Sequence, residues 1–75
     1  MRNMKIEINK QQPLDEVVAE LERLGYTKSI TYQGDSDSTI IATYNGGFSD
    51  WLFDTFKNHK LTTLAELKEQ PNAAD

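Results

Sequence analysis

Four of the seven aromatic side chains, Phe48, Trp51, Phe53 and Phe56, crowd into the segment between Gly46 and Lys60. Read as a helix, this segment is too apolar to lie on a surface with one face buried and the rest in water. The remainder of the fold, or a second molecule, has to cover it. The chain has little material for that task. At 75 residues it is one domain, and a chain of roughly this size buries only about 60% of its unfolded surface. It has no cysteine and a single histidine, His59, so disulfides, thiolate metal sites and histidine-rich sites are excluded. Stability must come from packing or from association.

Punctuation divides the chain into short elements. Met4, Ile6 and Ile8 alternate with Lys5, Glu7 and Asn9, the pattern of a half-buried strand. Pro13 opens a helix in which Leu14, Val17, Val18, Leu21 and Leu24 share one stripe and Gly25 supplies the left-handed cap. Two runs rich in β-branched and aromatic residues follow, 26–32 and 38–44, separated by Gln33-Gly34-Asp35-Ser36-Asp37. They read as a hairpin. A helix is expected over the aromatic segment. Thr63-Leu64-Ala65-Glu66 fits a capping box that opens a last helix, which Pro71 ends.

The expected order is therefore β-α-β-β-α-α, a two-layer α+β fold. Its three-stranded antiparallel sheet, in order 1-3-2, carries the helices on one face. That face takes Ile6, Ile8, Ile30 and Ala42, and the opposite face takes Thr27, Ser29, Thr31, Thr39 and Thr43. Residues 1–70 form the compact domain and 71–75 a disordered C-terminal tail.

No catalytic motif, nucleotide loop or metal motif is present, so the expectation is a chain without catalytic residues, cofactor or metal. Asp35-Ser36-Asp37 lacks the further ligands, central glycine and terminal glutamate of a calcium loop and reads as turn chemistry. The net charge of −4 gives no attraction to phosphate backbones, which makes nucleic acid an unlikely partner even though Tyr26, Tyr32, Tyr44 and Lys28 suggest a stacking platform. Asp15, Glu16, Glu20 and Glu22 form a solvated acidic stripe, and Lys57, His59 and Lys60 suit a helix C-terminus. No apolar run approaches the roughly 20 residues of a membrane span, and no secretory signature opens the chain. Cytoplasmic localisation without a membrane partner is the expectation.

Helical geometry divides the aromatic segment. At 100° per residue, Phe48, Leu52 and Phe56 share one face with Trp51 at its edge, and Phe53 points elsewhere. Either the leucines of the last helix cover Phe53, or it forms a patch for a partner. The expected partner-binding residues are Trp51 and Phe53, with Asp50 and Asp54 setting orientation. The opening Met4-Lys5-Ile6-Glu7-Ile8 strand, the Pro13-led helix and the hairpin resemble small damage-inducible regulators, a family that uses a βαββα fold to bind a recombinase filament. That resemblance implies a scaffold able to regulate another protein. The expected function is a small non-enzymatic protein-binding module (a regulator, inhibitor or adaptor of the bacterial or phage accessory kind). The alternatives are a homodimeric structural protein and a single-stranded nucleic-acid binder.

Overall fold

A computed structural model describes residues 2–35, 38–51 and 59–71. Seven elements follow in chain order: β1 (Met4–Glu7), α1 (Leu14–Arg23), β2 (Thr27–Lys28), β3 (Thr39–Ala42), β4 (Gly47–Trp51), β5 (Lys60–Leu61) and α2 (Leu64–Glu69). The strands form one five-stranded sheet in the order β2-β4-β3-β1-β5. Its three central strands pair antiparallel, while β2 runs parallel to β4 and β5 parallel to β1.

The three-stranded, all-antiparallel sheet expected from the sequence is thus replaced by a five-stranded mixed one. The expected neighbours β1 and β3 do pair. The change comes from residues 47–51, read above as the start of a helix, which form a strand. Asn45-Gly46 is the reason. Gly46 adopts a left-handed φ of 91°, Gly46 N–H donates to Thr43 O at 2.9 Å, and Thr43 N–H donates to Gly47 O at 2.9 Å. This is a tight turn followed by a glycine bulge, which folds β4 directly back on β3. The expected hairpin between the 26–32 and 38–44 runs is thereby displaced. Residues 27–35 instead track the outer side of β4. Thr27 N–H donates to Gly46 O at 2.8 Å and Ser29 N–H to Phe48 O at 2.9 Å. The βαββα order implied by the resemblance gives way for the same reason.

α1 forms where its apolar stripe predicts and buries Val17, Val18 and Leu21. It ends in a paired cap: Tyr26 N–H donates to Leu21 O at 3.0 Å and Gly25 N–H to Glu22 O at 3.1 Å, with Gly25 at φ 97°. α2 starts at the expected Thr63, whose hydroxyl accepts Glu66 N–H at 3.2 Å. Together the helices bring Val17, Leu21, Leu64 and Leu67 onto a sheet face formed by Met4, Ile6, Ile40, Ala42 and Phe48. The register explains that face, since Met4 lies opposite Ala42, Ile6 opposite Ile40, and Ala42 opposite Phe48. Ile30 departs from expectation. A turn closed by Tyr32 N–H to Ser29 O at 3.0 Å lifts it out of the strand and leaves it fully exposed. Tyr26 is buried, and its hydroxyl exchanges hydrogen bonds with the backbone N–H and carbonyl of Arg2 at 3.0 and 2.7 Å.

Candidate functional site

The alternation that sends Met4, Ile40 and Phe48 toward the helices sends Thr39, Ile41, Ser49 and Trp51 to the other face of the sheet. There Ile41 and Ser49 form the floor of a concavity of about 290 Å³. Ser29 and Thr31 line one wall, Thr43 and Asn45 another, and Trp51 closes a third side. Among the described residues, no ionisable side chain lines it.

Two sets of hydrogen bonds hold the polar walls. Ser29 Oγ meets Thr31 Oγ1 at 3.0 Å, and Thr31 Oγ1 meets Ser49 Oγ at 2.7 Å, giving an unbroken chain of three hydroxyls. Opposite them, Asn45 Oδ1 accepts from the Thr43 hydroxyl and from Gly47 N–H at 3.2 Å. One large exposed apolar side chain lines the concavity, and two more adjoin its lining residues in the chain. Trp51 lines the concavity and is 42% exposed. Ile30 lies between the lining residues Ser29 and Thr31, and Tyr44, 72% exposed, lies between Thr43 and Asn45. The fourth large exposed apolar residue described, Leu61, lies on β5 opposite Lys5.

The expected site residues separate. Trp51 sits at the site. Asp50, one position before it, has a structural task on the far side of β4: its carboxylate accepts Gln33 N–H at 2.8 Å and Asp35 N–H at 2.6 Å. Burial alone would raise the Asp50 pKa, but these backbone donors outweigh it and hold the carboxyl below the usual aspartate range. Phe53 and Asp54, and with them Leu52, Phe56 and Lys57 of the expected aromatic helix, lie outside the described residues, as do Ser36, Asp37 and residues 72–75. Asp35, from the Asp35-Ser36-Asp37 cluster, is engaged in the turn contact to Asp50.

The tyrosines do not share a surface. Tyr26 is in the core, Tyr32 meets Phe48 edge to face at 5.5 Å with the Lys28 ammonium 5.3 Å from its ring centre, and Tyr44 is at the β3–β4 turn. Burial, then the negative charges of Asp50, Asp15 and Glu22, push the Tyr32 hydroxyl above its ordinary value. Among the described residues, no three metal-ligating side chains cluster and no helix is long and apolar enough to cross a membrane.

The sequence named Ser29, Thr31 and Thr43 as part of a hydroxyl-bearing face, and all three line the concavity. It missed Ser49 and Asn45. The available signal was Asn45-Gly46, which as a hairpin turn places Ser49 two residues into a strand, opposite Ile41. Comparison with known protein families, with curated proteins and with solved structures finds no match.

Proposed function

We propose that this chain is a small non-enzymatic protein-binding module, acting as a regulator, inhibitor or adaptor. It engages another protein through the sheet face that bears the concavity. One observation carries this reading: the half-exposed Trp51 borders a depression with a buried apolar floor and no ionisable side chain among its described lining residues, and the exposed Ile30 and Tyr44 adjoin lining residues in the chain. Aromatic anchors grouped around a desolvated centre are the usual carriers of binding energy at protein interfaces. The sheet edges support docking on the face. β2 and β5 are two residues long, too short to template an added strand. Exposed acidic residues on α1, Asp15, Glu16 and Glu22, add to a net charge of −4, which disfavours a second copy and favours a partner with a basic rim.

The test is affinity capture by the immobilised full chain, with proteins retained by wild type compared with those retained by Ile30→Asp, Tyr44→Ser and, as a control on α2, Lys68→Ser. A specific partner should survive Lys68→Ser and be lost with both other variants. If every retained protein survives Ile30→Asp and Tyr44→Ser, the reading fails. A concentration-dependent dimer in sedimentation, abolished by Ile30→Asp, would assign the face to self-association instead.

A further inference from the structure

We infer that the concavity receives an uncharged amide of the partner, either a peptide group or an Asn or Gln side chain. The identity of the amide's owner rests on the protein-binding reading above, but its chemistry follows from the hydroxyl chain. Three hydroxyls bring three O–H donors and six lone pairs; the two links Ser29–Thr31 and Thr31–Ser49 use two of each. One donor and four lone pairs remain at the wall. A group that both donates and accepts uses both kinds of vacancy, and an amide is such a group.

The surroundings disfavour ions. Among the described residues the lining holds no carboxylate, ammonium or guanidinium, and the floor is the buried Ile41 beside the buried Ser49. A carboxylate entering here would lose its hydration and meet hydroxyl and amide N–H donors but no cation among the described lining residues, Lys5 standing across from Ile41 on β1 outside that lining. An ammonium would find lone pairs but no counter-charge. The size fits one side chain or one peptide unit, since about 290 Å³ falls at the small end of the range for ligand sites. Trp51 lines the side where the apolar part of such a group would lie, while the hydroxyls take the polar part.

The experiment uses three probes of nearly equal shape on the ¹⁵N-labelled full chain at neutral pH: isobutyramide, isobutyrate and isobutylammonium. Isobutyramide should shift the Ser29, Thr31 and Ser49 amide signals and the Trp51 indole signal saturably in the millimolar range, with affinity at least about tenfold above that of either ion. Thr31→Val cuts the hydroxyl chain at its centre while keeping the side-chain shape. It should abolish the preference for the amide and leave the spectrum of core residues such as Ile6 and Leu67 intact. Should Thr31→Val perturb the fold, Ser49→Ala serves as the second variant with the same expected loss. Equal or stronger shifts with isobutyrate or isobutylammonium, or no shift with isobutyramide, would overturn the inference. These outcomes are independent of protein capture: seated isobutyramide with no captured partner defeats the protein-binding reading alone, and a captured partner with unmoved signals defeats only the amide.

Discussion

Arg23, the last residue of α1, donates from Nη2 to the carbonyl oxygen of Leu67 in α2 at 2.8 Å. Its Nη1 donates to Gln70 O at 2.8 Å, and its Nε to Glu20 Oε1 at 2.8 Å. At the end of α2 this cation reinforces Leu67 O, which also accepts Gln70 N–H at 3.2 Å, and reaches Gln70 O just past the helix. The same guanidinium therefore locks the two helices together. Arg23→Ala should lower the free energy of urea unfolding by about 1–2 kcal/mol, at the lower end for bonds to a charged group because Arg23 is partly exposed. Arg23→Lys keeps the charge but loses the planar fork, and should recover less than half of that.

Gln12 does for the other end of α2 what Arg23 does for its C-terminus. Its Oε1 accepts Leu64 N–H at 2.8 Å and its Nε2 donates to Glu7 O at 2.7 Å, tying α2 to the end of β1. Gln12→Ala should cost about 1–2 kcal/mol in chemical denaturation, and Thr63→Ala, which removes the hydroxyl cap, about 1 kcal/mol. The two losses should fall short of additive, because both remove donors' partners from one helix start.

Asp50 sets an acid limb. Its folded pKa lies below the ordinary aspartate value, so its contribution is present above about pH 3.9 and is lost as pH falls through the folded value. Acid titration of stability should therefore be shallower for Asp50→Asn than for wild type below about pH 4. At neutral pH Asp50→Ala should be the worse variant, since Gln33 N–H and Asp35 N–H both lose their acceptor. Equal acid slopes for wild type and Asp50→Asn would refute this assignment.

Phe48 and Ile30 should behave as opposites. Phe48 is 1% exposed and fills the core, so Phe48→Ala should cost about 3–5 kcal/mol and leave a chain this small largely unfolded. Ile30 is fully exposed, and Ile30→Ser should stay within about 0.5 kcal/mol of wild type by thermal denaturation. A large loss at Ile30 would show that this side chain supports the fold.

Long periodic segments and caps were legible in the sequence. The stripe from Leu14 to Leu24, Gly25 as its cap, the Met4–Ile6 alternation and Thr63 all appear where the residues indicate. The sheet was harder. Over five residues, Gly47–Trp51 shows a pattern that suits a strand or the first turns of a helix, and the aromatic density beyond Trp51 pulled the reading toward helix. The Asn45-Gly46 turn was the deciding local signal. The run 26–32 announces β2 as a strand but not its parallel pairing with β4, and no local pattern announces β5, whose two residues are held by Met4 and Lys5 far back in the chain. The concavity followed the same division: its hydroxyl-bearing residues stood out in the sequence, whereas the acceptor role of Asp50 depends on a loop 15 and 17 positions away and has no local signal.

The position of β1 inside the sheet bears on how the protein is made. β1 lies between β3 and β5, so its two neighbours are residues 39–42 and 60–61, both synthesised after it. A ribosome releases β1 with its hydrogen-bonding edges open and its Met4 and Ile6 faces uncovered until more than half the chain has followed. The pairing of β1 is therefore non-local on both edges, and closing these long loops should make folding slow for a domain of this length. Among the described strands, β1 has to wait for β5.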